Sequence, residues 1–152
     1  MTRGGGGGSS AHLPELPADV ESHELPRDRR IRRRTDFLRV QQTGARVGTS
    51  HFLILLDSQP GARRDAAARL GIVASRKVGG AVVRNRAKRL VREAYRLHAD
   101  LFLAGIDYVV IVRAGADRLS RAEVETELCG VSRLLARRSI DVRRRADAAL
   151  AE

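Results

Sequence analysis

The stretch richest in chemistry runs from Arg76 to Arg96, where eight Lys or Arg residues stand against a single acid, Glu93. Guanidinium and ammonium groups at that density bind phosphate, and a protein that neutralises several phosphates draws much of its affinity from the counterions they release. If residues 82–97 are helical, Val83, Ala87, Leu90, Val91, Ala94 and Leu97 fall at i, i+4, i+7, i+8, i+11 and i+14 and form one apolar stripe. Arg84, Asn85, Lys88, Arg89, Arg92 and Arg96 then lie within roughly 140° of arc on the opposite side, with Arg86 toward the edge of the stripe. An ordinary solvated face carries two or three Arg balanced by Glu. This one is unbalanced, and its i,i+4 like-charge pairs are repulsion that a polyanion would relieve.

Catalytic groups are much harder to find. Asp57, Asp65, Asp100, Asp107 and Asp117 are scattered, with no paired spacing of the kind that converges on metal ions in a nuclease. His12, His23, His51 and His98 show no metal-ligand spacing, and no Ser stands in a nucleophile elbow. Cys129 is the only cysteine, which excludes an intrachain disulfide; it has no His or second Cys at ligand spacing and reads as an inert helix residue. The sequence describes a binder, with no catalytic and no metal-ligating residue assigned.

The elements that must position the basic stretch fit into 152 residues as one compact domain with tails. The formal charge is +11, carried almost wholly by Arg, since Lys occurs only at Lys77 and Lys88. The planar fork of Arg suits phosphates and bases, although a GC-rich genome raises Arg equally. Residues 1–26 hold one Arg and four carboxylates, a Gly4–Gly8 run and three prolines, and are predicted to be a disordered tail. Six Arg between Arg27 and Arg34 lead into a short helix, capped by Thr35 or Asp36, with Phe37 and Val40 on one face and Gly44 as the stop. Strands are predicted at 47–50, 52–56, 70–75 and 107–113, with a mobile loop at 59–68. The helix between the last two strands implies that they pair in parallel if they are neighbours. Val78-Gly79-Gly80 either lets the backbone approach a phosphate or shapes a tight turn. Ser120 with Glu123 forms a capping box ahead of a stripe of Val124, Leu128, Val131 and Leu135, and an Arg/Ala-rich tail at 139–152 either extends that helix or frays. With no apolar run long enough to span a bilayer, the chain reads as cytoplasmic, with neither a membrane nor a small-molecule substrate as partner.

Arg84-Asn85-Arg86, followed by Lys88-Arg89-Leu90 and Arg92-Glu93-Ala94-Tyr95-Arg96 and preceded by Leu70-Gly71-Ile72-Val73-Ala74-Ser75-Arg76-Lys77-Val78-Gly79, resembles the protein component of bacterial ribonuclease P. The resemblance covers residues 27–138. It implies an α+β fold, a two-layer sandwich of αβββαβα order similar to the second domain of ribosomal protein S5, with a left-handed βαβ crossover against the usual right-handed tendency. It implies a non-catalytic protein subunit: a catalytic RNA holding Mg2+ removes the 5′ leader of precursor tRNA, and the protein binds both RNAs. Arg84, Asn85, Arg86, Lys88, Arg89 and Arg92 match the signature that meets the catalytic RNA, and Arg76 and Lys77 match its lead-in. Arg33, Phe37, Val40, Phe52 and Ile54 match the cleft that holds the leader. Gln41 stands where many relatives carry a second aromatic, and Leu55 replaces a frequent Tyr, so the leader grip is expected to lean on Arg rather than on stacking. The competing reading is a ribosomal or other structural RNA-binding protein of similar fold.

Overall fold

The computed structural model describes residues 25–61 and 65–151. Most of the expected N-terminal tail lies outside that range. Leu25, near its end, is only 4% exposed and belongs to the core, while Pro26 is exposed.

A four-stranded sheet, built from β1 (Ala45–Gly48), β2 (Phe52–Ser58), β3 (Arg69–Ala74) and β4 (Ile106–Val112), runs in the order β1-β2-β4-β3. β1 and β4 both pair antiparallel with β2, whereas β3 pairs parallel with β4, as the intervening helix α2 (Ala81–Leu97) requires. The sheet has two unequal covers. On one face, Phe52, Ile54, Leu56, Leu70, Ile72, Tyr108 and Val110 pack with residues of α2, α3 (Arg121–Gly130) and α4 (Ser132–Ala151). On the other, Leu55 and Val109 pack beneath the short helix α1 (Arg34–Thr43) through Ile31, Phe37 and Val40. The expected sandwich of sheet and helices is present, and α1 adds a partial cover to its second side.

α1 starts two to three residues earlier than expected and without a side-chain cap, its N-cap being Arg33 rather than Thr35 or Asp36. Asp36 is drawn elsewhere: it accepts from Arg39 at 2.6 Å and lies 3.4 Å from Arg69. Arg39 and Arg69 also converge on Asp107, which is fully buried. Arg39 Nη2 donates to Oδ2 at 2.6 Å, while Arg69 donates through Nε at 2.7 Å and Nη2 at 2.6 Å. These bonds to Asp107 hold the Arg69 guanidinium above its usual pKa against the opposing pull of burial. A buried carboxylate with two cationic partners ties α1 to the sheet, and together with Asp36 it balances two Arg that would otherwise add to the surface charge.

Gly44 ends α1 with an ordinary negative φ of -74°. Its need for glycine is close approach, since an added Cβ would strike Val40 O and come within 2.8 Å of Leu56 O. The loop expected to be mobile is tied at both described ends: Gln59 is buried and donates to Ala67 O at 2.8 Å, and Gly105 N–H donates to Ala66 O at 2.7 Å.

The C-terminal half differs most from expectation. The Ser120–Glu123 capping box forms as predicted, with both hydrogen bonds present. The single last helix is two, however, because the chain leaves helical geometry at Val131. The Arg/Ala-rich stretch from residue 139, which the sequence left either extending a helix or fraying, is the body of α4, with Ser139 and Val142 buried. Ser139 Oγ lies 2.8 Å from the Tyr108 hydroxyl, and Arg143 donates to Ala104 O at 2.5 Å, which binds α4 to the sheet and to the turn before β4.

Candidate nucleic-acid interface

α2 is anchored on the side its spacing predicted. Ala87, Val91 and Ala94 are buried, and Tyr95 joins them, donating to Ala68 O at 2.8 Å and packing its ring 4.7 Å from that of Phe102. Burial pushes the Tyr95 phenol up to about 12, against the opposing charge of Arg29. Three members of the expected stripe behave differently, with Val83 and Leu90 half-buried and Leu97 46% exposed.

Gly79 shapes the turn into α2. Its φ of 152° and the 2.7 Å separation between an added Cβ and Val83 Cγ1 both demand glycine there, whereas Gly80 sits in open space. From this start the helix turns Asn85, Arg86, Arg89 and Arg96 outward, with Arg84 and Lys88 half-exposed and Arg76 and Lys77 exposed just before it. Arg84 reaches back to Gly79 O at 3.4 Å, and Arg86 Nε donates to Asp117 O at 2.9 Å, which props the basic side against the Ala116–Arg118 turn. Asn85 and Arg89 make no side-chain hydrogen bond or ion pair among the described residues. Arg92 departs from expectation, being only 8% exposed. It lies about 60° round the helix from the anchored Tyr95, on the flank of the buried side, and is not an open phosphate fork.

A second surface opens on the sheet face that α1 only half covers. Leu53, Ile111 and Val73 stand side by side in register across β2, β4 and β3, and each is half-exposed. By strand parity Arg46 on β1 and Arg113 after β4 lie on this same side and are exposed, Arg113 Nη1 donating to Thr49 O at 3.0 Å, and Arg33, the N-cap of α1, is exposed as well. The β1–β2 turn is held in turn by Glu127 of α3, which accepts from Thr49 Oγ1 at 2.8 Å and from His51 N at 3.0 Å and lies 2.5 Å from His51 Nδ1. Burial pushes the Glu127 carboxyl upward, but these hydrogen bonds outweigh it and hold the group below its usual pKa.

Of the residues assigned to the cleft, only Arg33 is exposed. Phe37 and Val40 are fully buried beneath α1, where the Phe37 ring lies directly on Gly71. Phe52 and Ile54 are buried on the opposite face, among the residues that pack with the other helices. The error is one of parity: side chains alternate along a strand, and an uninterrupted run from Phe52 to Leu56 carries no polar residue to mark which set faces which layer. The strand's contribution to the open face is Leu53, which the sequence pattern did not single out, and the same holds for Val73 and Ile111. All five aromatic residues, Phe37, Phe52, Tyr95, Phe102 and Tyr108, are buried.

Cys129, which looked isolated in sequence, has Sγ 3.9 Å from His98 Nδ1, and His98 Nε2 is 3.4 Å from Glu125. Among the described residues there is no group of three or more His, Cys, Asp or Glu that could hold a metal ion, and no helix long and apolar enough to cross a membrane.

With this geometry in place, the comparisons with known proteins decide the family. The family model for ribonuclease P matches residues 25–136. The chain belongs to the ribonuclease P protein family. The ribonuclease P protein component of Desulfovibrio desulfuricans is 45% identical over 117 residues, covering 74% of this chain and 87% of that one. That of a Geobacter species is 38% identical over 109 residues, covering 72% and 90%. Among solved structures, the RNase P protein of Staphylococcus aureus superposes with a TM-score of 0.60 at 31% identity, covering 70% of this chain and 94% of that one. The Thermotoga maritima RNase P protein gives 0.58 at 33% identity, covering 67% and 93%. The α+β architecture is thus that of ribonuclease P proteins, and the match begins at Leu25, which is buried in the core.

Proposed function

We propose that this ribonuclease P protein is the RNA-binding subunit of a ribonucleoprotein that removes the 5′ leader of precursor tRNA in the cytoplasm. The catalytic RNA meets Arg76, Lys77 and the outward side of α2, the leader runs over the open sheet face, and Mg2+ is held mainly by RNA phosphates. The observation that carries this reading is α2, with one side on the core and the other a dense cationic strip, in a chain of this family. In this reading the cleavage chemistry belongs to the RNA subunit and the Mg2+ it holds. The protein's part is to reduce repulsion between two large RNAs and to hold the leader in place.

The leader grip is aliphatic and cationic. Leu53, Val73 and Ile111 give a flat apolar floor, and Arg33, Arg46 and Arg113 supply charge. With every aromatic ring inside the protein, the stacking worth roughly 1–3 kcal/mol per base in many single-strand binders does not come from Phe or Tyr. The decisive experiment is cleavage of precursor tRNA in dilute magnesium by protein alone, by the RNA subunit alone and by both together. Turnover only in the combination is expected; cleavage by the protein alone, or no effect of the protein on the RNA, would overturn the proposal.

A further inference from the structure

α4 carries six Arg against Asp141 and Asp147, and most of it lies beyond the family match, which stops at residue 136. It packs on the same face of the sheet as α2, burying Leu135, Ser139 and Val142 there. At 100° per residue the side opposite Leu135 presents Arg133, Arg137, Ile140 and Arg144, all exposed, at i, i+4, i+7 and i+11. The three Arg of this row span about 16 Å of helix. Arg145 is exposed as well. Arg133, Arg137 and Arg145 have no carboxylate partner among the described residues, and Arg144 meets Asp141 at 3.6 Å in an exposed ion pair.

We propose that the outward row of α4 is a second RNA-backbone contact, which widens the basic face of α2 into a two-helix surface. The proposal rests on the reading of α2 as an RNA-binding helix and adds to it a surface outside the family domain. Three features of the molecule favour RNA phosphates as the occupant. Both helices turn their exposed sides away from one sheet face, so their charges lie on one side of the molecule. Arg133 and Arg137 set like charge at i,i+4 and Arg144 follows two turns on, with Asp141 as the one acid beside the row, an arrangement that costs an isolated helix and that a polyanion rewards. The forks are all Arg, the residue suited to bidentate phosphate contact.

The test measures the affinity of the full chain for the ribonuclease P RNA as a function of salt. The triple variant Arg133→Gln, Arg137→Gln, Arg144→Gln is compared with the parent, with the matching Arg→Lys triple and with Asp141→Asn. Each phosphate that the protein no longer neutralises lowers the slope of log affinity against log salt by about one. The Gln triple is expected to lose about two to three units of slope and at least roughly tenfold in affinity at physiological salt, the Lys triple to retain most of the slope, and Asp141→Asn to steepen it. An unchanged slope in the Gln triple and in Asp141→Asn overturns the proposal. If Arg89→Ala still lowers the slope in that case, the reading of α2 stands without it; if Arg89→Ala has no effect either, both fall. Binding of α4 to anionic phospholipid vesicles with no change in RNA slope also overturns it.

Discussion

Gly71→Ala is the sharpest test of how the open face is built. An added Cβ at this position would stand 2.6 Å from Phe37 Cε1 and 2.7 Å from Cζ, with Ile31 Cβ at 3.4 Å. The ring cannot rotate clear, because Phe37 is fully buried between α1 and the sheet, so the methyl must lift α1 or distort the strand. Overpacking of this kind costs about 1–3 kcal/mol. At a few degrees per kcal/mol for a domain of this size, the melting temperature should fall by roughly 3–12 °C. Phe37→Ala alone removes a buried ring and should cost about 3–5 kcal/mol. The double variant should cost less than the sum, because the methyl added at Gly71 partly fills the space the ring vacates, with a coupling of about 0.5–3 kcal/mol. Urea denaturation of the parent, both single variants and the double variant measures the cycle. A Gly71→Ala change within about 0.5 kcal/mol of the parent, or strict additivity, would refute the claim that Phe37 is a core residue whose place depends on that glycine.

Three further outcomes are expected. Asp107→Asn leaves Arg39 and Arg69 without their shared carboxylate and should cost about 3 kcal/mol, the low end for a broken buried pair, because both Arg side chains keep about a quarter of their exposure; a loss below about 1 kcal/mol by denaturant titration would contradict the anchoring role. Because burial raises Tyr95 to about 12 while the unfolded phenol ionises near 10, its contribution is complete below pH 10 and is lost as pH rises toward 12. The stability difference between the parent and Tyr95→Phe should therefore shrink by up to about 3 kcal/mol across that window, and a flat difference would contradict it. Leu53→Tyr places a ring on the open floor and should tighten precursor tRNA over mature tRNA by roughly 1–3 kcal/mol, whereas Arg33→Ala should weaken the precursor selectively; equal changes for both ligands would defeat the leader assignment.

What the sequence determined on its own was local and periodic. The spacing of Val83, Ala87, Val91 and Ala94 announces the buried side of α2, and the outward Arg follow from it, because a helix face is set by residues three and four apart. The Ser120–Glu123 cap was legible for the same reason, and the intervening helix implied parallel pairing of β3 with β4 once the two were neighbours, which the sheet order makes them. Tertiary structure alone decided three matters. Which parity of β2 faces α1 depends on Phe37 finding Gly71 across the sheet, a contact between residues 34 positions apart that a uniformly apolar strand does not encode. Arg92 is withdrawn from the basic side because the flank of a helix is buried or exposed according to what packs beside it. The Arg/Ala-rich end becomes a helix on the core because Tyr108 and Ala104, far back in the chain, supply hydrogen-bonding partners for Ser139 and Arg143. Periodicity names the faces of an element, and only long-range packing decides what each face meets.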